Sequence, residues 1–250
     1  MISRKSPEQI AVMRRAGRVV AEMHEVCIRA ARPGATTLDV DRAARDVIER
    51  RGARSNFLGY HGFPAVACTS PNDVIVHGIP SDDVVLRDGD ILSIDCGAII
   101  EGWHADAAVT VPIGDVDDVS KRLIEVTRQS LEAAIEQVVA GNRLGDIGAA
   151  VEGIAQDAGF SVVREYVGHG IGTAMHEDPQ VPNYGPAGRG LALKEGHVLA
   201  IEPMVNAGTA GTEVLDDGWT VVTRDGARSA HFEHTIAVTG HGPEVLTLPW

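Results

Sequence analysis

Near the start of the chain, apolar residues return every three or four positions: Ile10, Met13, Val20, Met23 and Cys27 share one stripe, the period of a helix that buries one face. Ser6 can cap this helix, Pro7 suits its first turn and Gln9 completes a capping box, while "RPG" at 32–34 stops it. A second helix is predicted over 38–51, with Thr37 before it, Asp39 and Asp41 in its first turn, Arg50 and Arg51 in its last and Gly52 beyond. From 57 to 111 the pattern changes to short apolar runs broken by Gly, Pro, Asn and Asp, which reads as strands and turns. Helical spacing returns at 119–139 and 146–158, and strand-like runs fill the remainder.

Helix, helix, strands, then helix, helix, strands is the order of a duplicated unit. "LDVDRAARDVIE" from Leu38 is echoed by "LGDIGAAVEGIA" from Leu144, and "LRDGDILSID" from Leu86 by "LKEGHVLAIE" from Leu193. In the second pair a leucine, a glycine, a further leucine and an isoleucine are identical, and both segments end on a carboxylate, Asp95 and Glu202. The following segments, "HADAAVTV" and "HFEHTIAV", carry Asp106 and Glu233.

These four carboxylates lie inside apolar strands, where an unpaired charge costs several kcal/mol. One acidic residue at a strand end is ordinarily a turn. Two pairs in matching places, brought together about a pseudo-twofold axis, would repel strongly unless cations lay between them. Oxygen ligands alone suit calcium or magnesium, whereas a histidine among them moves the choice to manganese, iron, cobalt or zinc. His169 and His176 in "YVGHGIGTAMHEDPQVP", and His77 in "VIVHGIP", are the candidates, one as a ligand and two as acid/base groups nearby. His24, His61, His197 and His241 have no such support and read as structural or surface residues. Two divalent ions bridged by carboxylates form a hydrolytic device that needs no serine or cysteine nucleophile. The chain has no GxSxG elbow, P-loop or dinucleotide fingerprint.

Composition narrows the class further. The 250 residues can bury roughly three quarters of their unfolded surface, enough for one domain over 1–250 built of halves at about 1–115 and 116–250. A net charge of −13 leaves no basic excess for phosphates and argues against nucleic-acid specificity. No apolar run approaches a membrane span, and the start lacks the apolar stretch of a signal peptide. Three cysteines, Cys27, Cys68 and Cys96, with no CxxC, read as reduced and cytoplasmic.

The motifs "GYHGFP", "VHGIP", "DGDILSIDCG", "WHADAAVT", "YVGHGIG", "MHEDPQVPNY", "IEPM", "DGWTVVTRDG" and "SAHFEHTIAVT" run through nearly the whole chain. On these motifs it resembles the type I methionine aminopeptidases of the creatinase/aminopeptidase superfamily. The resemblance implies an α+β pita-bread fold, a pseudo-twofold repeat whose helices pack on a curved antiparallel sheet. It also implies removal of the N-terminal methionine from nascent proteins, with a small second residue preferred, by a water or hydroxide bridging two divalent ions. Their ligands would be Asp95, Asp106, His169, Glu202 and Glu233, with Asp106 and Glu233 shared and Glu202 assisting the water. His77 and His176 would contact the substrate at the scissile amide. Tyr60, Phe63, Cys68, Met175 and Trp219 would surround the methionine side chain. Phe57, Phe63 and Met175 depart from the family's commonest pattern, in which cysteine, tyrosine and phenylalanine are frequent. Nascent chain N-termini at the ribosome are the implied partners of a monomeric, cytoplasmic enzyme. The rivals are a proline-specific peptidase of the same superfamily, against which "GYHGFP" and "DGWT" stand, and a binding module that has lost its metal ligands.

Overall fold

A computed structural model of the protein describes residues 2–249. The first half contributes α1 (Pro7–Ala30), α2 (Thr37–Arg51), β1 (Arg54–Ser55), β2 (Ala67–Pro71), β3 (Val74–Val76), β4 (Ile91–Ile100) and β5 (Trp103–Pro112). The second begins with α3 (Asp118–Glu136), α4 (Leu144–Asp157), β6 (Ser161–Val162), β7 (Gly168–Gly170), β8 (Glu177–Val181) and β9 (Val198–Ile201). It ends with β10 (Met204–Asn206), β11 (Thr212–Val214), β12 (Val221–Thr223), β13 (Ser229–His231), β14 (His234–Thr239) and β15 (Gly242–Val245). Two helices precede the strands in each half, so this is the α+β pita-bread architecture with its pseudo-twofold repeat.

The helix ends follow local chemistry. Ser6 accepts from the backbone of Gln9, whose side chain returns the bond, and Pro7 stands in the first turn as expected. The second helix starts one residue earlier than its spacing suggests, because Thr36 and Asp39 form its capping box rather than Thr37, and Gly52 closes it in the left-handed conformation. α3 stops at Glu136, not at 139. Val138 is fully buried beyond the helix end and so prolongs the apolar pattern without prolonging the helix. α4 runs from Leu144 rather than 146, since the side chain of Asp146 reaches back to the Arg143 amide at 2.7 Å.

All strand pairings are antiparallel. In the first half, β4 is flanked by β5, β1 and β2, and in the second the order is β15-β14-β9-β7-β8. α1 and α2 cover β4 and β5 with a core that includes Val20, Met23, Val40, Leu92 and Ile94. α3 and α4 cover their strands with Leu123, Leu131, Ile147, Leu199 and Ile236. The repeated motif keeps its geometry: Gly89 and Gly196 both have positive φ, 94° and 88°, which explains why glycine recurs there. Segment 57–63 departs from the strand reading. It forms a loop with a 3-10 turn, because Gly59 and His61 take positive φ of 83° and 45°.

The halves meet along β5 and the chain around Glu233. Ala108 and Glu233 exchange backbone hydrogen bonds of 3.3 and 2.9 Å. Two residues away on either side, threonine hydroxyls continue the seam. Thr235 Oγ1 accepts from the Asp106 amide at 2.9 Å and donates to the Asp106 carbonyl at 2.8 Å. Thr110 Oγ1 treats His231 in the same way, with both distances 2.8 Å. A further tie is β3, which pairs with β12 of the other half.

Thr235 is fully buried. Thr235→Val would leave a buried N–H and C=O on Asp106 without these partners, a cost of about 2 kcal/mol or more. Urea unfolding should show this loss for Thr235→Val, and a much smaller one for Thr235→Ser.

Candidate metal centre and substrate pocket

The seam decides what faces what. Ala108 stands opposite Asp95 on β4 and opposite Glu233 across the junction, so Asp95, Asp106 and Glu233 come together from three adjacent chain segments. β9 pairs with β14 through Ile201 and His234, which places Glu202 and Glu233 side by side just beyond the pair. β7 pairs with β9 through His169 and Ala200, adding the imidazole. Both glycines around His169 are required by this squeeze. A Cβ on Gly168 would lie 2.4 Å from the Ala200 carbonyl oxygen, and one on Gly170 would lie 2.2 Å from that of Asp178.

Asp106, His169 and Glu233 each offer a ligand atom, all within 4.8 Å of one another, and all three residues are buried. His169 Nδ1 lies 2.9 Å from the Gly170 carbonyl oxygen, which can only accept. The proton therefore sits on Nδ1, and Nε2, 3.6 Å from Glu202 Oε1, carries its lone pair toward the carboxylates. Burial lowers the His169 pKa to about 4, so the ring is neutral at physiological pH. Burial also raises Asp95, to about 7. Asp106 is raised by burial and then by the charges of Glu233 and Asp95, and Glu202 and Glu233 are raised for the same kinds of reason. Three buried oxygens, Asp95 Oδ1, Asp106 Oδ1 and Glu233 Oε1, have no hydrogen-bond partner among the described residues. Converging, unpartnered oxygens beside an imidazole lone pair are a donor set that fits divalent cations.

The same cavity, about 180 Å³, continues from the carboxylates into an apolar recess. Phe57, Phe63, Cys68 and Met175 are buried together there, with Tyr60 and Trp219 packed against them. Phe63 meets Trp219 edge-on at 5.1 Å and Phe57 at 6.5 Å. Cys68 is the strand partner of Asp95, so the recess abuts the carboxylates directly. Burial and then the nearby acidic groups push its thiol pKa well up, leaving it a neutral wall rather than a nucleophile.

His77 lies between the two regions, its ring edge-on to Tyr166 at 5.7 Å and to Trp219 at 6.1 Å. Its φ of 61° is a conformation that non-glycine residues seldom adopt outside special sites. The next residue must be small, since a Cβ on Gly78 would come within 2.2 Å of the Thr69 carbonyl oxygen. Burial and then His176 lower the His77 pKa to about 4. His176 sits at the exposed mouth, hydrogen-bonded through Nδ1 to the Tyr60 hydroxyl at 2.8 Å, with its ring 4.3 Å from that of His169.

Every residue nominated from the sequence lines this one cavity. Three further lining residues were not nominated: Phe57, noted above only as a departure, and Tyr166 and Val167. The last two lie within or beside the "YVGHGIG" motif, where proximity to His169 was the available signal. His24 is half-buried away from the cavity, in a groove between α1 and α3, and His61 lies against Tyr60.

Together, the two-helix repeat and the buried carboxylate–imidazole cluster are those of a metal-dependent peptidase, and the model of metallopeptidase family M24 matches residues 11–240. The methionine aminopeptidase of Clostridium acetobutylicum is 50% identical over 248 residues, 99% of each chain. The crystal structure of methionine aminopeptidase from Thermotoga maritima superposes with a TM-score of 0.97 at 44% identity, covering 99% of this chain and 100% of that one. The prolidase of Pyrococcus furiosus has a TM-score of 0.79 at 20% identity, over 99% of this chain and 66% of that one, a likeness of fold alone. The chain belongs to metallopeptidase family M24, in its methionine aminopeptidase branch. No helix among the described residues is long and apolar enough to cross a membrane.

The raised carboxylates give the metal-free protein a characteristic pH response. Above about pH 7.5 histidines are mostly neutral in folded and unfolded chains alike, whereas the folded cluster, its carboxylates raised by burial, still holds protons that unfolded carboxylates have released. The folded state then binds more protons than the unfolded one, so stability falls as pH rises. Chelated protein should melt at a lower temperature at about pH 8.5 than at about pH 7.5, and added manganese should abolish the difference. Equal melting temperatures for the chelated protein would contradict a desolvated carboxylate cluster.

Proposed function

We propose that the protein is a dinuclear metallo-aminopeptidase that removes the N-terminal methionine from nascent proteins and peptides whose second residue is small. The observation that carries this reading is the closed apolar recess beside the carboxylates. A substrate side chain filling the recess brings the first peptide bond, and no later one, to the cluster. Asp95, Asp106, His169, Glu202 and Glu233 would hold two divalent ions, with Asp106 and Glu233 shared. The imidazole among the oxygens favours manganese, iron, cobalt or zinc. When bound, such a pair polarises a carbonyl and lowers the pKa of water toward neutrality.

The chain's own groups do the rest. The recess orients the methionine and excludes water from its side chain. Glu202 accepts the proton of the attacking water. His77, neutral because it is buried, donates to the oxygen that gains charge as the amide carbonyl is attacked. His176, fixed by Tyr60, serves the amide nitrogen that departs as an amine. The halves, 1–115 and 116–250, work as one catalytic domain, because each supplies ligands. The three described cysteines are free and buried, in keeping with a reducing cytoplasm, where the chain would meet N-termini at the ribosome as a monomer.

The direct test is mass spectrometry of Met-Ala-Ser, Met-Leu-Ser and Ala-Pro-Ser peptides after incubation with protein reconstituted with manganese, iron or cobalt. Cleavage of Met-Ala-Ser well above the other two is expected. Equal rates on the two methionine peptides would remove the small-residue preference, and cleavage of Ala-Pro-Ser alone would assign the protein to proline-specific chemistry.

The histidines separate ligand from acid/base roles. His77→Ala and His176→Ala should keep their metal while slowing turnover by about 10²–10⁴-fold. His169→Ala and Glu233→Ala should lose metal and activity together. Metal content and turnover measured at one free-metal concentration decide between them, and metal loss in His176→Ala equal to that in His169→Ala would overturn the division.

A further inference from the structure

We propose that Lys5, ahead of the first helix, is a positioning residue of the active site, acting through Glu177 on the loop that carries Met175 and His176. The segment leading into α1 lies against the second half: the Lys5 amide donates to the Gly196 carbonyl at 2.7 Å and Arg4 Nε to that of Glu195 at 2.6 Å. The Lys5 side chain is only 3% exposed, an unusual burial for a lysine unless a partner awaits it. Its ammonium donates to Glu177 Oε2 at 2.8 Å and to Ser3 Oγ at 2.7 Å, and the Ser3 hydroxyl donates to the same Oε2 at 2.9 Å.

The other oxygen of Glu177 faces the loop. Oε1 accepts from the backbone amides of Thr173 and Ala174 at 2.8 and 3.3 Å. Residues 172–176 form no helix or strand, yet Met175 walls the apolar recess and His176 stands at the cavity mouth. Gly172 leaves the space this arrangement needs: a Cβ there would lie 2.5 Å from Glu177 Oε1 and 2.6 Å from Lys5 Cε. One carboxylate is thus held by the N-terminal segment on one side and closes the loop on the other. Without the ammonium, a largely buried carboxylate loses its compensating charge and turns toward water, releasing both amides.

This inference rests on the aminopeptidase reading for its kinetic consequence but not for its structural one, so the two are tested apart. Hydrogen–deuterium exchange of the metal-free protein reads the loop without any activity. In Lys5→Met, amides of residues 172–177 should exchange at least fivefold faster, with the rest of the chain unchanged. On Met-Ala-Ser, kcat should fall tenfold or more at parental manganese content, and discrimination between methionine and leucine at the first position should relax. In the double variant Lys5→Met with Glu177→Gln no charge is left unpaired and the amide oxygen can still accept from Thr173, so kcat should recover to within about threefold of the parent. Should Lys5→Met not fold, Ser3→Ala, which removes the hydroxyl between ammonium and carboxylate, should speed exchange of the same amides about threefold. Unchanged exchange at 172–177, parental kcat and discrimination, or loss of manganese together with activity would each overturn the proposal. A parent protein inactive on Met-Ala-Ser counts against the aminopeptidase reading instead.

Discussion

The site depends on one junction, where Ala108 and Glu233 bond backbone to backbone and the hydroxyls of Thr110 and Thr235 continue the stitching on either side. The first half carries its two carboxylates within β4 and β5, and the second carries its two just outside β9 and β14. Joined antiparallel, they are forced into a common dry space, and the raised pKa values follow from that proximity. Local features then serve the confinement. The glycines around His169 let β7 lie close enough to add an imidazole, and the hydrogen bond from Nδ1 aims its lone pair inward.

The recess and the cluster are also joined by strand register. Cys68 and Asp95 are neighbours across β2 and β4, so the wall of the apolar pocket and the first carboxylate of the cluster cannot move independently. His77 reaches the boundary only by adopting a left-handed backbone, held by the tight fit of Gly78 against Thr69. Strain of this kind persists only where the surroundings enforce it. Here they do so from both halves, since β3 immediately before His77 pairs with β12 just after Trp219.

Much of this was legible in the residues. The internal repeat paired Asp95 with Glu202 and Asp106 with Glu233, and helical periodicity located all four helices to within a few residues. The assignment of individual histidines came from motif resemblance, because composition and spacing cannot tell a ligand imidazole from a buried one. The supporting contacts were not legible. Thr235 and Asp106, or Lys5 and Glu177, are far apart in sequence and meet only through the register of distant strands and loops. Helix ends slipped where a buried loop residue such as Val138 mimicked another turn, and 57–63 escaped the strand pattern through positive φ at Gly59 and His61.

Because the clustered carboxylates and imidazole come from both halves, the cluster cannot exist in a chain that is still being made. Synthesis runs from the amino end, so Asp95 and Asp106 emerge well before His169, Glu202 and finally Glu233. A first half that folds early holds two carboxylates with nothing to share a cation, and protonation is the cheaper state for such groups. Assembly of the cluster is therefore a late event, coupled to the closing of the seam, and an incomplete chain lacks the donor set that fits a divalent cation.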